Sequence, residues 1–137
     1  MDRKKKEALE FYGRNLGLTF QIADDTLDYN SELKLFGKKI GKDFFENKIT
    51  LPIILLCQKA SEKEKGNVKN IFLKEKKDDK NFNYILSLIK KHNIISDCYK
   101  KAEHYINLAG NTLSVFDEND NKKIMQGLTS FSLERDF

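Results

Sequence analysis

The residues best placed to do chemistry lie in one stretch, Gly17-Leu18-Thr19-Phe20-Gln21-Ile22-Ala23-Asp24-Asp25-Thr26-Leu27-Asp28. At about 100° per residue in a helix, Gln21, Asp24, Asp25 and Asp28 fall within an arc of roughly 100°. Three carboxylates and an amide thus share one face, beside an apolar stripe of Leu16, Phe20, Ala23 and Leu27. Like charges on adjacent turns repel, so such a face invites a compensating cation. Carboxylate oxygens suit hard cations, and magnesium takes one or two of them and completes its shell with water and substrate phosphates. No histidine or cysteine adjoins the cluster. The chemistry implied is magnesium bridging to a phosphorylated ligand. Gly13 and Gly17, on nearly the same side one and two turns earlier, leave room for a ligand or a neighbouring helix.

Acids at this spacing also occur on ordinary solvated helix ends, and the two glycines are equally a helix-packing notch. The segment that follows argues for a site. Gly37-Lys38-Lys39-Ile40-Gly41-Lys42-Asp43 and Lys48-Ile49-Thr50-Leu51-Pro52 place lysines on a loop just past the acidic face. Lysine ammonium groups are point-charge partners for phosphate oxygens.

The elements that must position these groups are all helical. Residues 3 to about 29 form one long helix, and Asn30 to about Lys48 a polar loop. Thr50 reads as an N-cap with Pro52 in the first turn of a buried helix through Ile53-Ile54-Leu55-Leu56. Ser61 and Glu64 match a capping box, inside a heavily charged, solvated segment from Lys59 to Lys80. Phe82, Ile85, Leu86 and Ile89 mark an amphipathic helix ending near Asn93. Ser96 is a candidate cap for the next helix, with Tyr99, Ala102, Tyr105, Ile106, Ala109 and Leu113 facing a core. Asp117 to Asn121 is a polar break before a last helix through Ile124, Leu128 and Phe131, ending near Arg135. The fold class is therefore all-α.

Composition excludes several classes. The 137 residues hold 25 basic and 21 acidic groups, and a net charge of +4 with interleaved signs gives no nucleic-acid footprint. The apolar runs are too short for a transmembrane segment, and no signal segment follows the basic start. Cys57 and Cys98 lie in helical apolar patterns and read as buried free thiols of a reducing compartment, which points to the cytoplasm. His92 and His104 have no partner at ligand spacing. Tyr84, Tyr99 and Tyr105 read as packing residues.

Taken together, G-x-x-F-Q-x-x-D-D-x-x-D, G-K-x-x-G-x-D and K-x-T-L-P, in this order and spacing, resemble the trans-isoprenyl diphosphate synthases. The likeness runs from about Glu7 to the end and is greatest to the long-chain branch, which makes octaprenyl, solanesyl or decaprenyl tails for quinones. The ending Ser132-Leu133-Glu134-Arg135-Asp136 resembles the end of that branch. The resemblance implies that Asp24, Asp25 and Asp28 are the second aspartate motif, binding Mg2+ that grips an allylic diphosphate. It implies that Lys38 and Lys48 contact the same diphosphate, and that Phe20 and Gln21 face the substrate pocket. The implied reaction joins isopentenyl diphosphate to the allylic diphosphate.

Two departures stand out: Asn47 replaces the usual glycine and Phe44 the usual leucine. The family's first aspartate motif, the basic residues for isopentenyl diphosphate and the residues that set product length do not occur in the sequence. The expectation is that residues 1–137 form the C-terminal portion of one synthase domain, a helical bundle incomplete without its N-terminal helices. Such a chain is inactive alone and forms a homo-oligomer or pairs with a chain carrying the first motif. The alternative is a non-catalytic helical subunit, or a relic, that pairs with another synthase chain.

Overall fold

The computed structural model describes residues 2–35, 37 and 39–134. Every regular element among them is helical: α1 (Arg3–Leu27), α2 (Glu32–Leu35), α3 (Lys42–Phe45), α4 (Leu51–Lys59), α5 (Glu62–Phe72), α6 (Asp79–Lys91), α7 (Ile94–Asn111) and α8 (Asp120–Glu134), with a 3₁₀ turn at Thr112–Val115. The all-α expectation holds. The four-residue helices α2 and α3 fall inside the segment expected to be loop, because elements this short carry no readable periodicity. Lys38 and Arg135, both part of the sequence reading, lie outside the described residues.

The chain divides into two units. One comprises the residues up to 23 and those from 99 onward, and the other residues 24–98. In the first unit Tyr12 packs with Ala109 and Leu113, joined by Leu16, Phe116 and Met125. The Tyr12 hydroxyl donates to the Met125 carbonyl at 2.8 Å, which satisfies the polar end of a buried ring.

The buried face of α1 is not the expected one. Tyr12, Asn15, Thr19, Ile22, Ala23 and Thr26 are buried, and of the apolar stripe only Ala23 is. The two faces differ by roughly a quarter turn. Polar side chains tolerate this burial because they bond to helix carbonyls: Asn15 Nδ2 donates to Phe11 O at 2.9 Å and Thr19 Oγ1 to Asn15 O at 2.9 Å. Leu16, Phe20 and Leu27 remain half-buried.

The second unit is built on aromatic rings. Phe44 is fully buried, with ring centroids 5.5 Å from Phe72, 5.0 Å from Phe45 and 5.1 Å from Phe82. The leucine-to-phenylalanine departure thus supplies the hub of a core cluster. Two helix starts follow local rules. Ser61 Oγ accepts from Glu64 N–H and Glu64 Oε1 accepts from Ser61 N–H, and Asp78 and Asn81 form the same reciprocal pair.

Thr50 does occupy the N-cap of α4, with Pro52 in the first turn, but its hydroxyl makes no cap bond. That hydroxyl is buried without a hydrogen-bond partner among the described residues. Ser96 lies inside α7 and caps nothing. The helix starts directly after Asn93, whose φ of +55° turns the chain. Cys98 is buried as expected, whereas Cys57 is only half-buried, and both are free thiols. His92 serves structure: its ring lies 3.0 Å from Glu64.

Candidate functional site

The acidic residues fall where α1 ends. Asp24 is exposed and Asp25 half-buried on the last turn, and Asp28 follows in the turn beyond Leu27. Asp28 reaches back to the loop that sequence analysis singled out. Its Oδ1 accepts the Gly41 N–H at 3.2 Å and its Oδ2 accepts the Asp43 N–H at 2.7 Å. Gly41 is the N-cap of α3, so the Asp28 carboxylate sits on the free amides of a helix start, where negative charge is favoured.

This loop geometry explains its glycine. Gly41 has a φ of +96°, and an added Cβ would stand 2.7 Å from a ring carbon of Phe82. Both the backbone conformation and the close approach of the ring exclude a side chain. Asn47, the other departure from the family pattern, has a φ of +61°. The position needs the left-handed region, which asparagine tolerates better than other non-glycine residues.

Electrostatics tie the cluster together. Burial pushes the Asp25 carboxyl above the ordinary carboxylate range; the Lys48 charge opposes this and the Asp24 and Asp28 charges add to it. The Asp43 carboxyl is also raised, first by burial and then by the Asp28 charge and a hydrogen bond with the Asp28 carboxylate, with Lys48 again opposing. Tyr29 lies beneath, 1% exposed. Its phenol is pushed far above its usual value by burial and by Asp28, Asp43 and Asp25. Its hydroxyl has no hydrogen-bond partner among the described residues.

Of the residues expected to act together, Asp24, Asp25, Asp28 and Lys48 share one electrostatic neighbourhood. Lys38 lies outside the described residues. Phe20, half-buried, and Gln21, exposed, precede Asp24 on α1 and belong to the first unit. Asp43 was not singled out from sequence as a site residue, yet it completes the acidic group. Its signal was the fixed G-x-D spacing, which places its amide and carboxyl beside Asp28.

The donor set suits one kind of cation. All the donors are carboxylate oxygens, a hard-ion set, and their mutual repulsion calls for positive charge. Among the described residues no three His, Cys, Asp or Glu side chains converge to hold a metal ion. Asp28 is engaged by two backbone amides. The set therefore does not form an all-protein cage. It fits a cation held through one or two carboxylates, with water and phosphate oxygens completing the shell. No helix among the described residues is long and apolar enough to cross a membrane.

Comparison with known proteins gives these features a family. Residues 1–89 match the polyprenyl synthetase family model. The chain is 32% identical over 129 residues to a short chain isoprenyl diphosphate synthase of Methanothermobacter thermautotrophicus, covering 94% of this chain and 39% of that protein. It is 25% identical over 133 residues to the octaprenyl diphosphate synthase of Haemophilus influenzae, covering 97% of this chain and 40% of the relative. A polyprenyl synthase from Caulobacter crescentus, solved with calcium and isoprenyl diphosphate, superposes with a TM-score of 0.84 at 32% identity, covering 98% of this chain and 41% of its own. The chain thus spans about 40% of the length of these relatives and has the fold of part of a helical isoprenyl synthase domain. The matched family model, the relatives and the helical architecture agree: this chain belongs to the polyprenyl synthetase family of prenyltransferases.

Proposed function

We propose that this chain is the C-terminal portion of a trans-isoprenyl diphosphate synthase domain and contributes the half of the active site that grips the allylic diphosphate. The observation that carries the reading is the juxtaposition of Asp24, Asp25 and Asp28 with Lys48, on a loop clamped by Asp28. Asp24 and Asp25 are the residues that would hold Mg2+. When bound, the cation neutralises the diphosphate and stabilises its departure.

The chain's own residues have separate tasks. Lys48 contributes positive charge toward the departing group, and Lys38 is assigned the same task from the motif. Asp28 positions the loop by holding Gly41 and Asp43. Phe20 and Gln21 are assigned to the pocket for the allylic chain from the motif. The C–O bond to diphosphate breaks, the double bond of isopentenyl diphosphate attacks the allylic carbon, and a proton is then lost. Stabilising the separating charge is the chief catalytic task. The product is a polyprenyl diphosphate of the kind used for quinone side chains.

The reaction needs two substrates held in register, and the motif for the second lies upstream in the resembling family. A chain carrying the first aspartate motif would supply it. The test is to incubate the purified chain with radiolabelled isopentenyl diphosphate, an allylic primer and magnesium, alone and after joining it to the upstream helices of a homologous synthase. Elongated product is expected only from the joined protein. Product from the chain alone, or none from a folded joined protein, contradicts the proposal.

A second reading is favoured by one specific observation. Both Asp28 oxygens are bonded to backbone amides, so part of the motif holds the fold together whether or not catalysis occurs. A non-catalytic subunit that pairs with a complete synthase would retain this feature. Under that reading a folded joined protein would form no elongated product, which distinguishes the two.

A further inference from the structure

The second unit contains a feature that the acidic site does not use. An apolar groove of about 570 Å³ runs between α4 and α5, its walls formed by Ile53, Ile54, Val68, Phe72 and Leu73. Its volume lies in the range typical of small-molecule sites, roughly 300–1,000 Å³. Ile49, which also lines it, is 59% exposed, Ile54 46% and Leu73 71%. Apolar side chains do not stand this far into water around a concavity without cost.

The polar groups of the groove are few and of one sign. Lys65 and Lys69, four residues apart on α5, both line it and lie on one side of the helix on successive turns. Among the described residues Lys65 pairs with Glu62 alone, at 3.3 Å, and that carboxylate is 93% exposed. A pair so open to water holds its lysine weakly. No ion pair of Lys69 occurs among the described residues. Cys57 lines the same groove, and the Lys65 charge is felt at its thiol. The groove thus offers an apolar seat with two cations on its rim and no carboxylate in its lining.

We propose that this groove binds an amphipathic anion, an aliphatic chain carrying a phosphate or carboxylate head, with the chain against Ile53, Ile54 and Phe72 and the head against Lys65 and Lys69. An apolar helix laid in the groove would not answer the two ammonium groups, and a free inorganic anion would leave the apolar walls wet. The site is separate from the acidic face and does not depend on the catalytic reading. It adjoins the same loop, since Asn47 and Ile49 line the groove on either side of Lys48.

Cys57 provides the measurement. In the full chain, with Cys98 fully buried as an internal control, the alkylation rate of Cys57 by neutral iodoacetamide is followed against added dodecyl phosphate below its micelle threshold. Dodecyl phosphate is expected to slow Cys57 alkylation about tenfold or more at saturation, and inorganic phosphate is expected to leave it unchanged. The double variant Lys65→Glu/Lys69→Glu, both surface positions, should raise the half-protecting concentration by about tenfold, as expected when two charge contacts become repulsive. No protection by dodecyl phosphate overturns the proposal, as does equal protection in the double variant or by inorganic phosphate. Protection that rises with protein concentration in the absence of ligand also overturns it, because a second copy then covers the groove.

Discussion

Two groups of carboxylates in the same unit have opposite surroundings. Glu64 is held by its neighbours. It closes the Ser61 capping box, and its other oxygen is 2.9 Å from Lys91 Nζ, with the His92 ring at 3.0 Å from the first. Its carboxyl is lowered to about 2, first by the Ser61 backbone amide and then by Lys91. Asp25 and Asp43 are pushed the other way by burial and by other carboxylates. An acid surrounded by donors and cations is a finished structural part. Acids surrounded by acids, with Lys48 as the opposing charge, are held ionised only at some cost. Sequence spacing makes both groups visible, but only the structure separates them.

Four substitutions would break or sharpen this contrast. The largest effect is expected at Asp24. In the chain joined to the upstream helices of a homologous synthase, Asp24→Asn should lower turnover by about 100-fold or more, the scale seen when a metal's immediate surroundings are altered. Thermal unfolding should change little by comparison, because Asp24 is exposed. Unimpaired turnover at saturating magnesium would remove the residue from the site.

Next is Phe44→Ala. Removing a fully buried ring that touches Phe72 and Phe82 should cost about 3–5 kcal/mol, read from urea unfolding. Because Phe44 lies on α3, directly beyond the amides that Asp28 holds, amide hydrogen exchange should rise at Gly41 and Asp43. Exchange at the Ser61 cap should change less. Uniform loosening of both would mean that the two groups are not independently supported.

Glu64→Gln should lower the melting temperature at neutral pH and flatten its acid dependence. The sign follows from the lowered carboxyl. The unfolded glutamate titrates at about 4.3 and the folded one at about 2. The stabilisation is therefore complete above the unfolded value and is lost as pH falls toward the folded one. A parent protein with the same acid slope as the variant would show that the Glu64 contacts contribute nothing.

The smallest effect has the opposite sign. Without divalent cation, Asp25→Asn should stabilise the chain slightly at neutral pH, by about 0.2–0.5 kcal/mol, the scale of like-charge pairs on a helix. The Asp25 carboxyl is raised on folding, so its ionisation opposes folding and acidification through its folded value favours it. Destabilisation by this variant at neutral pH would mean that the cluster is already compensated within the chain.

Much of this was legible in the sequence, for reasons that differ by residue. The Ser61–Glu64 box and the long run of α1 are local patterns, decided within a few residues. The aspartate spacing was also local, and the family motifs gave it a context. The Asp28 clamp was not readable, because it joins residues 13 and 15 positions apart through backbone amides that no side-chain pattern reports. Asp43 was missed for the same reason. The buried side of α1 was misplaced because Asn15, Thr19 and Thr26 count as polar in any periodicity, although in a helix Asn15 and Thr19 satisfy themselves on carbonyls one turn back. Ser96 looked like a cap because its type is right, yet the left-handed Asn93 had already started the helix.

The central claim is that the crowded carboxylates form a cation-dependent diphosphate site. The most direct measurement is calorimetric titration of the chain with an unreactive allylic thiodiphosphate, with and without magnesium, for the parent and for Asp24→Asn/Asp25→Asn. Saturable binding in the parent that requires magnesium and is lost in the double variant is the predicted result. Binding of equal strength without magnesium, or in the double variant, would contradict the account.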